Sequence, residues 1–155
     1  MPIRIAQETD LAELSELFRR TVLTHAPQCY SLTQTQAWAS SATDKVFFRA
    51  FILGPTTYVV EDETGIIGFA GIASDGHVIS VYVRSDRLHR GIGSTLMQVI
   101  LDHAITHNIS RLYSEASEFS IGLFKKFGFQ LYDTEVIERK GATFTRYLME
   151  RHLNG

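Results

Sequence analysis

The sequence predicts an α/β fold of the α+β kind, and three observations predict it. Three β-branched or aromatic runs, Thr57–Glu61, Ile66–Ala73 and Val78–Val83, follow one another across tight polar turns and so pair antiparallel. The third run leads into a long amphipathic helix and then into the strand Arg111–Glu115, parallel to it. Two last strands, Phe129–Ile137 and Thr143–Met149, meet at a turn around Gly141.

Taken in order, Ile3-Arg4-Ile5-Ala6 alternates and reads as a short first strand. Thr9 or Asp10 caps a helix with the apolar stripe Leu11, Leu14, Leu17, Phe18, Val22 and Leu23. It ends before Ala26-Pro27, because a residue preceding proline avoids the α region. A second, short helix starts at Ser31 or Thr33 and carries Trp38, and Val46–Leu53 forms a third that Gly54-Pro55 breaks. Asp62–Gly65 and Asp75-Gly76 are the hairpin turns. Gly68 and Gly71 within the third strand indicate a bulge or a close approach by another backbone. Ser117–Phe127 is a helix that Gly128 terminates.

The chain has 155 residues, 45% hydrophobic and 21% charged, enough for one core and one domain, 1–155. A net charge of −2 gives no basis for binding nucleic acid or an acidic membrane surface. The N-terminal residues lack an apolar signal region, and no apolar run is long enough to span a bilayer. The single cysteine, Cys29, excludes an intrachain disulfide and fits a reducing compartment, so the expected location is cytoplasmic.

The chemistry concentrates after Val83. Ser85–Arg90 is a polar turn, and Gly91 and Gly93 open the helix that carries Ile92, Leu96, Met97, Val99, Ile100, Ala104 and Ile105 on one face. The first turn of a helix has amides without internal partners and partial positive charge, and glycine lets an anion come close. With Arg87, Arg90, Ser94 and Thr95 around it, this loop suits a phosphate or pyrophosphate. It is neither a P-loop, which needs Gly-x-x-x-x-Gly-Lys-Ser/Thr, nor a dinucleotide fingerprint, since Leu96 stands where the third glycine belongs. A tight strand-to-helix turn is the plain structural alternative.

The string Val83-Arg84-Ser85-Asp86-Arg87-Leu88-His89-Arg90-Gly91-Ile92-Gly93-Ser94-Thr95-Leu96 resembles the acetyl-CoA-binding motif of the GCN5-related N-acetyltransferases, Gln/Arg-x-x-Gly-x-Gly/Ala after a strand ending in valine. Leu88 stands at the Gln/Arg position and His89 where glycine is frequent; both are departures. Leu123-Phe124-Lys125-Lys126-Phe127-Gly128-Phe129 is similar to the end of the family's last helix, with Phe124 in place of the tyrosine that protonates the departing thiolate in many members. Tyr30-Ser31-x-x-Gln34-x-x-Ala37-Trp38 is similar to a string in a bacterial subgroup. The resemblance covers nearly the whole chain.

It implies a mixed, mostly antiparallel central sheet of about seven strands with helices on both faces. It implies acetyl-CoA as cosubstrate, bound by Leu88, His89, Arg90, Gly91, Ile92, Gly93, Ser94 and Thr95. The central strand and the strand of Glu115 should splay, so that the amides of Val81 and Val83 bond the pantetheine arm and an amide near Tyr82 polarises the thioester carbonyl. Ser117 stands where the family has an asparagine that contacts that arm. Cys29 and Tyr30 fall in the region that lines the acceptor side; packing on the sheet is their alternative role and the expected one for Trp38. Lys125 and Lys126 read as a solvated helix end, the expected role; the resemblance would instead put one of them near a cofactor phosphate. The family also pairs as dimers, so a homodimer is possible.

A protonated amine cannot attack a thioester, and imidazole is suited to take the proton near neutrality. Of six histidines, His77 begins the central strand, where the resemblance places the family's catalytic glutamate or histidine. A solvated strand-start residue is its other reading, and Glu61 and Glu115 are the reserve bases. The function implied is acetyl transfer to an amine of a small molecule. Acetylation of a protein lysine or N-terminus competes with it, as does a non-catalytic acyl-CoA-binding module.

Overall fold

The computed structural model describes residues Pro2–Leu153. Strands β1 (Ile3–Ile5), β2 (Thr56–Asp62), β3 (Gly65–Ile72) and β4 (Val78–Val83) form one sheet in the order β1-β2-β3-β4. Strands β5 (Arg111–Ala116), β6 (Gln130–Arg139) and β7 (Ala142–His152) form another in the order β5-β7-β6. Among the described residues every ladder is antiparallel, and a parallel bridge between His77, just ahead of β4, and Tyr113 of β5 links the two sheets. The central sheet is therefore two sheets of four and three strands linked at that bridge.

Alternation along the strands puts apolar side chains on both faces of the first sheet. Val59, Ile66 and Phe69 face helices α1 (Leu11–His25), α2 (Leu32–Ala39) and α3 (Lys45–Leu53) through Leu14, Phe18, Val22, Phe48 and Ile52. Val60, Ile67 and Ala70 face α4 (Ile92–Thr106) and α5 (Ile121–Lys126) through Leu96, Met97, Ile100 and Phe124. Gly68 is a place of close approach, to side chains and to backbone: a Cβ there would lie 3.0 Å from Ile92 and Leu96 and 3.1 Å from the Tyr82 carbonyl oxygen. Gly71 flanks the bulge that shifts the β3–β4 register before Ile72.

Local chemistry explains the boundaries. Ser31 caps α2 with a reciprocal box, its Oγ accepting from the Gln34 amide (3.1 Å) while Gln34 Oε1 accepts from the Ser31 amide (2.8 Å). Asp10 does not cap α1 as expected. Its carboxylate accepts from the Gln7 amide at 2.7 Å and pairs with Arg4 at 2.7 Å, which tightens a 3₁₀ turn, Glu8–Asp10, ahead of the helix. The last helix starts later than Ser117. Ser117 and Ser120 exchange side-chain-to-amide bonds that close a turn, and α5 begins only at Ile121.

Candidate functional site

The gap between β4 and β5 is built at its closed end by short contacts. The Tyr113 amide donates to the Gly76 carbonyl (3.1 Å), and the buried Ser114 hydroxyl donates to the Val78 carbonyl (2.7 Å). Gly76 has φ +97°, and a Cβ there would sit 2.0 Å from the Arg111 carbonyl oxygen, so only glycine allows this vertex. Beyond it the strands diverge as expected.

The β3–β4 register decides which amides face the gap. The Arg84 amide donates to the Ile67 carbonyl (2.8 Å). Two and four residues back, Tyr82–Phe69 and Ser80–Gly71 are then the bonded pairs, which leaves the amides of Val81 and Val83 directed at the gap. Tyr82's own amide is spent in the ladder, so the amides near Tyr82 that are available as donors are those of Val81 and Val83. The Thr21 hydroxyl occupies the Val83 carbonyl (2.9 Å) and His25 Nε2 contacts the Ser85 carbonyl (3.2 Å), so α1 holds the end of the strand.

The gap opens into a cleft of about 860 Å³. One end of it is the start of α4. Gly91, at φ +80°, turns the chain into the helix, and the first backbone bond of that helix runs from the Thr95 amide to the Gly91 carbonyl (3.0 Å). The amides of Ile92, Gly93 and Ser94 precede that bond and have the dipole of a 15-residue helix behind them. Leu88, His89, Gly91, Ile92, Gly93 and Ser94 line the cleft; Arg90 and Thr95 do not, and the Thr95 hydroxyl bonds back to Gly91 (3.1 Å). His89 adopts φ 62°, the conformation that makes glycine frequent at this position. Arg84 and Arg87 are bound to Asp86 (2.7 Å) and Asp62 (2.6 Å) and serve the loop's own geometry. The cation at the helix start is Lys126, whose Nζ donates to Ser94 Oγ at 2.8 Å, so it is not simply a solvated helix end.

At the other end, roughly 20 Å along β4, His77 Nε2 lies 2.9 Å from the Glu115 carboxylate. Their side chains are 26% and 24% exposed, and both line the cleft. The His77 ring stacks on Tyr113 (4.7 Å between centroids, 5° between planes), whose hydroxyl donates to Asp75. Burial alone would raise the Glu115 carboxyl, but the bond to His77, its charge, and Arg146 at 3.9 Å outweigh that and hold it below its ordinary range. Glu115 is thereby kept ionised, and its carboxylate is engaged with the His77 imidazole. Glu61 is not brought to this site: it is bonded to Arg4 (2.9 Å) and does not line the cleft.

Between the two ends lies an aromatic wall. Tyr30 packs on Trp38 (5.4 Å), Phe119 (6.0 Å) and Phe144 (6.0 Å), and its hydroxyl accepts from the Glu118 amide (3.0 Å). Burial raises the Tyr30 phenol, and the bond from the Glu118 amide offsets this only in part. Trp38, expected only to pack, also lines the cleft and donates its Nε1–H to the Tyr82 hydroxyl (3.2 Å). The Tyr82 ring sits among Phe18 (4.7 Å) and Phe69 (5.3 Å), and burial pushes its phenol up to about 12. Ser117 lines the cleft; Cys29 is exposed and outside it. Phe124 is buried against Phe129 (4.9 Å), so no phenol stands there. Sequence reasoning missed Ser80, whose buried Oγ lacks a partner among the described residues and whose position lines the cleft. Its signal was present: it is the one polar break in an apolar strand.

Residues 26–151 match the model of the acetyltransferase (GNAT) domain. The chain belongs to the GNAT acetyltransferase family. It is 28% identical over 148 residues to YafP, an uncharacterised N-acetyltransferase of Escherichia coli, which spans 95% of this chain and 93% of that protein. The crystal structure of a GCN5-related N-acetyltransferase from Rhodopseudomonas palustris superposes with a TM-score of 0.93 at 25% identity, over 98% of this chain and 95% of that one. PaiA N-acetyltransferase from Thermoplasma acidophilum, solved with coenzyme A, has a TM-score of 0.78 at 19% identity over 99% of this chain and all of that one. YncA from Salmonella typhimurium, solved with its cofactor acetyl-CoA, has a TM-score of 0.70 at 20% identity over all of this chain and 95% of that one. The protein is thus an N-acetyltransferase at the level of its family. Among the described residues no helix is long and apolar enough to cross a membrane.

Proposed function

We propose that the protein acetylates the primary amine of a small molecule, with His77 as proton acceptor and Glu115 as its orienting partner. The observation that carries this reading is the 2.9 Å contact between His77 and Glu115 at the closed end of the cleft. With Glu115 on Nε2, the ring presents Nδ1 as the nitrogen able to take a proton, and the carboxylate stabilises the imidazolium that results.

The thioester supplies an acyl carbon open to attack. The helix start and Lys126 suit the pyrophosphate, and the gap-facing amides of Val81 and Val83 suit the pantetheine arm as a strand partner would. One of those amides is then the donor to the oxygen that becomes negative. His77 takes one proton from the ammonium, and the neutral nitrogen bonds to the acyl carbon. As the carbon–sulfur bond breaks, the nitrogen loses its second proton, which passes through water to the departing thiolate, because Phe124 offers no acid.

A small acceptor is favoured over a protein because Tyr30, Trp38, Phe51 and Phe144 give the cleft a concave, aromatic lining. A panel of small amines and lysine peptides, assayed by thiol release from acetyl-CoA, tests this. Turnover of small amines at least about tenfold more efficient in kcat/KM than of peptides is expected. The reverse preference assigns a protein acceptor, and CoA binding without turnover of any amine assigns a binding module.

A further inference from the structure

Three arginines line the cleft. Arg87 is held by Asp62 at 2.6 Å, and Arg146 is bonded to Glu135. Arg139 has no carboxylate within ion-pair distance among the described residues. It ends β6, at the rim, with its guanidinium 6.0 Å from the centroid of Phe47, which stacks on Phe51 (5.7 Å). Its charge reaches inward, partly offsetting the effect of burial on the Tyr82 phenol.

Glu135, Ile137 and Arg139 alternate onto one face of β6. Glu135 is at the level of Arg146, which lies 3.9 Å from Glu115 of the dyad. Arg139 is four residues further along, roughly 13 Å of strand. The lining between is apolar: Ile137, Phe144, Phe47 and Phe51.

We infer that the acceptor is an amine that carries an anion, a carboxylate or a group of like charge, at the far end of an aromatic or apolar body, and that Arg139 selects it. This rests on the acetyl-transfer reading of the cleft. An α-amino acid does not fit, because its carboxylate sits one carbon from the nitrogen and would meet Glu115 rather than Arg139. A planar guanidinium gives a carboxylate two parallel bonds; Arg139 is exposed, so those bonds are partly screened by solvent and salt.

The test compares 4-(2-aminoethyl)benzoate with its carboxamide, and 6-aminohexanoate with its carboxamide. Each is measured as kcat/KM with acetyl-CoA and as affinity for the CoA-loaded protein by calorimetry. The wild type should prefer each acid over its amide by about tenfold or more, and less at high salt. Arg139→Gln should remove the preference with the amides unaffected, and Arg139→Glu should reverse it. Equal values for acid and amide in the wild type, or a preference that survives Arg139→Gln, overturns the inference while the acetyl-transfer reading stands. If no amine turns over, that reading fails, and the calorimetric comparison still decides the role of Arg139.

Discussion

Gly93→Asp separates the stability of α4 from its use as an anion site. Gly93 lies in the first turn, with the nearest side chain, Leu123, 3.3 Å from where a Cβ would be. That neighbour is the end of a flexible chain, so the steric demand is met by a shift of a few tenths of an ångström. A carboxylate at a helix start favours the free protein by about 0.3–1 kcal/mol. It opposes a bound pyrophosphate: two unit charges about 4 Å apart at a protein surface repel by roughly 4 kcal/mol. At about 1.4 kcal/mol per decade, CoA affinity should fall about 10³-fold, while the melting temperature holds or rises slightly. Gly93→Asn has the same bulk without the charge and should lose far less. Calorimetry with CoA and thermal denaturation of both variants give the two readouts. A folded Gly93→Asp protein that binds CoA within about threefold of wild type would refute the assignment of the helix start to the pyrophosphate.

Gly76→Ala should be among the costliest single changes outside the core. It places a Cβ 2.0 Å from a backbone oxygen at φ +97°, which costs roughly 3 kcal/mol or more in urea unfolding; an unchanged midpoint would mean that the vertex can relax. Asp10→Asn tests the Arg4 pair by pH. The bond to Arg4 holds the Asp10 carboxyl below its ordinary 3.8. Its stabilisation is present above that value and lost as pH falls through the lower folded value. The stability gap between wild type and Asp10→Asn should therefore close on acidification, read from denaturant midpoints across pH. Tyr30→Ala should change the KM or kcat of the acceptor more than CoA affinity, read from steady-state kinetics beside calorimetry. Equal loss of both would make the Tyr30 loop a structural element.

The order of strands and helices was legible because each element carries its own local signal: the alternation around Tyr58, the box at Ser31, the breaks at Gly54-Pro55 and Gly128. What local signals do not carry is pairing across long separations. The bond of Glu115 to His77 spans 38 residues, and the place of Lys126 beside Ser94 spans 32. In sequence, Lys126 is one of two lysines at a helix end, and only the packing of α5 beside α4 brings it to Ser94 at the start of α4. Arg139 likewise reads as a hairpin charge until β6 folds over the cleft. Glu61 fails as a base for the opposite reason: β1 supplies Arg4, which takes its carboxylate. The direction of the Tyr82 amide depends on which of two antiparallel registers is bonded, a choice no side-chain pattern reveals.

The central claim is that His77, held by Glu115, takes the amine's proton. The pH dependence of kcat for wild type and His77→Ala, with CoA affinity measured alongside, tests it most directly. The variant should turn over about 10²-fold more slowly near neutral pH, bind CoA as the wild type does, and recover as pH rises and free amine becomes abundant. A kcat unchanged across that pH range would contradict the account.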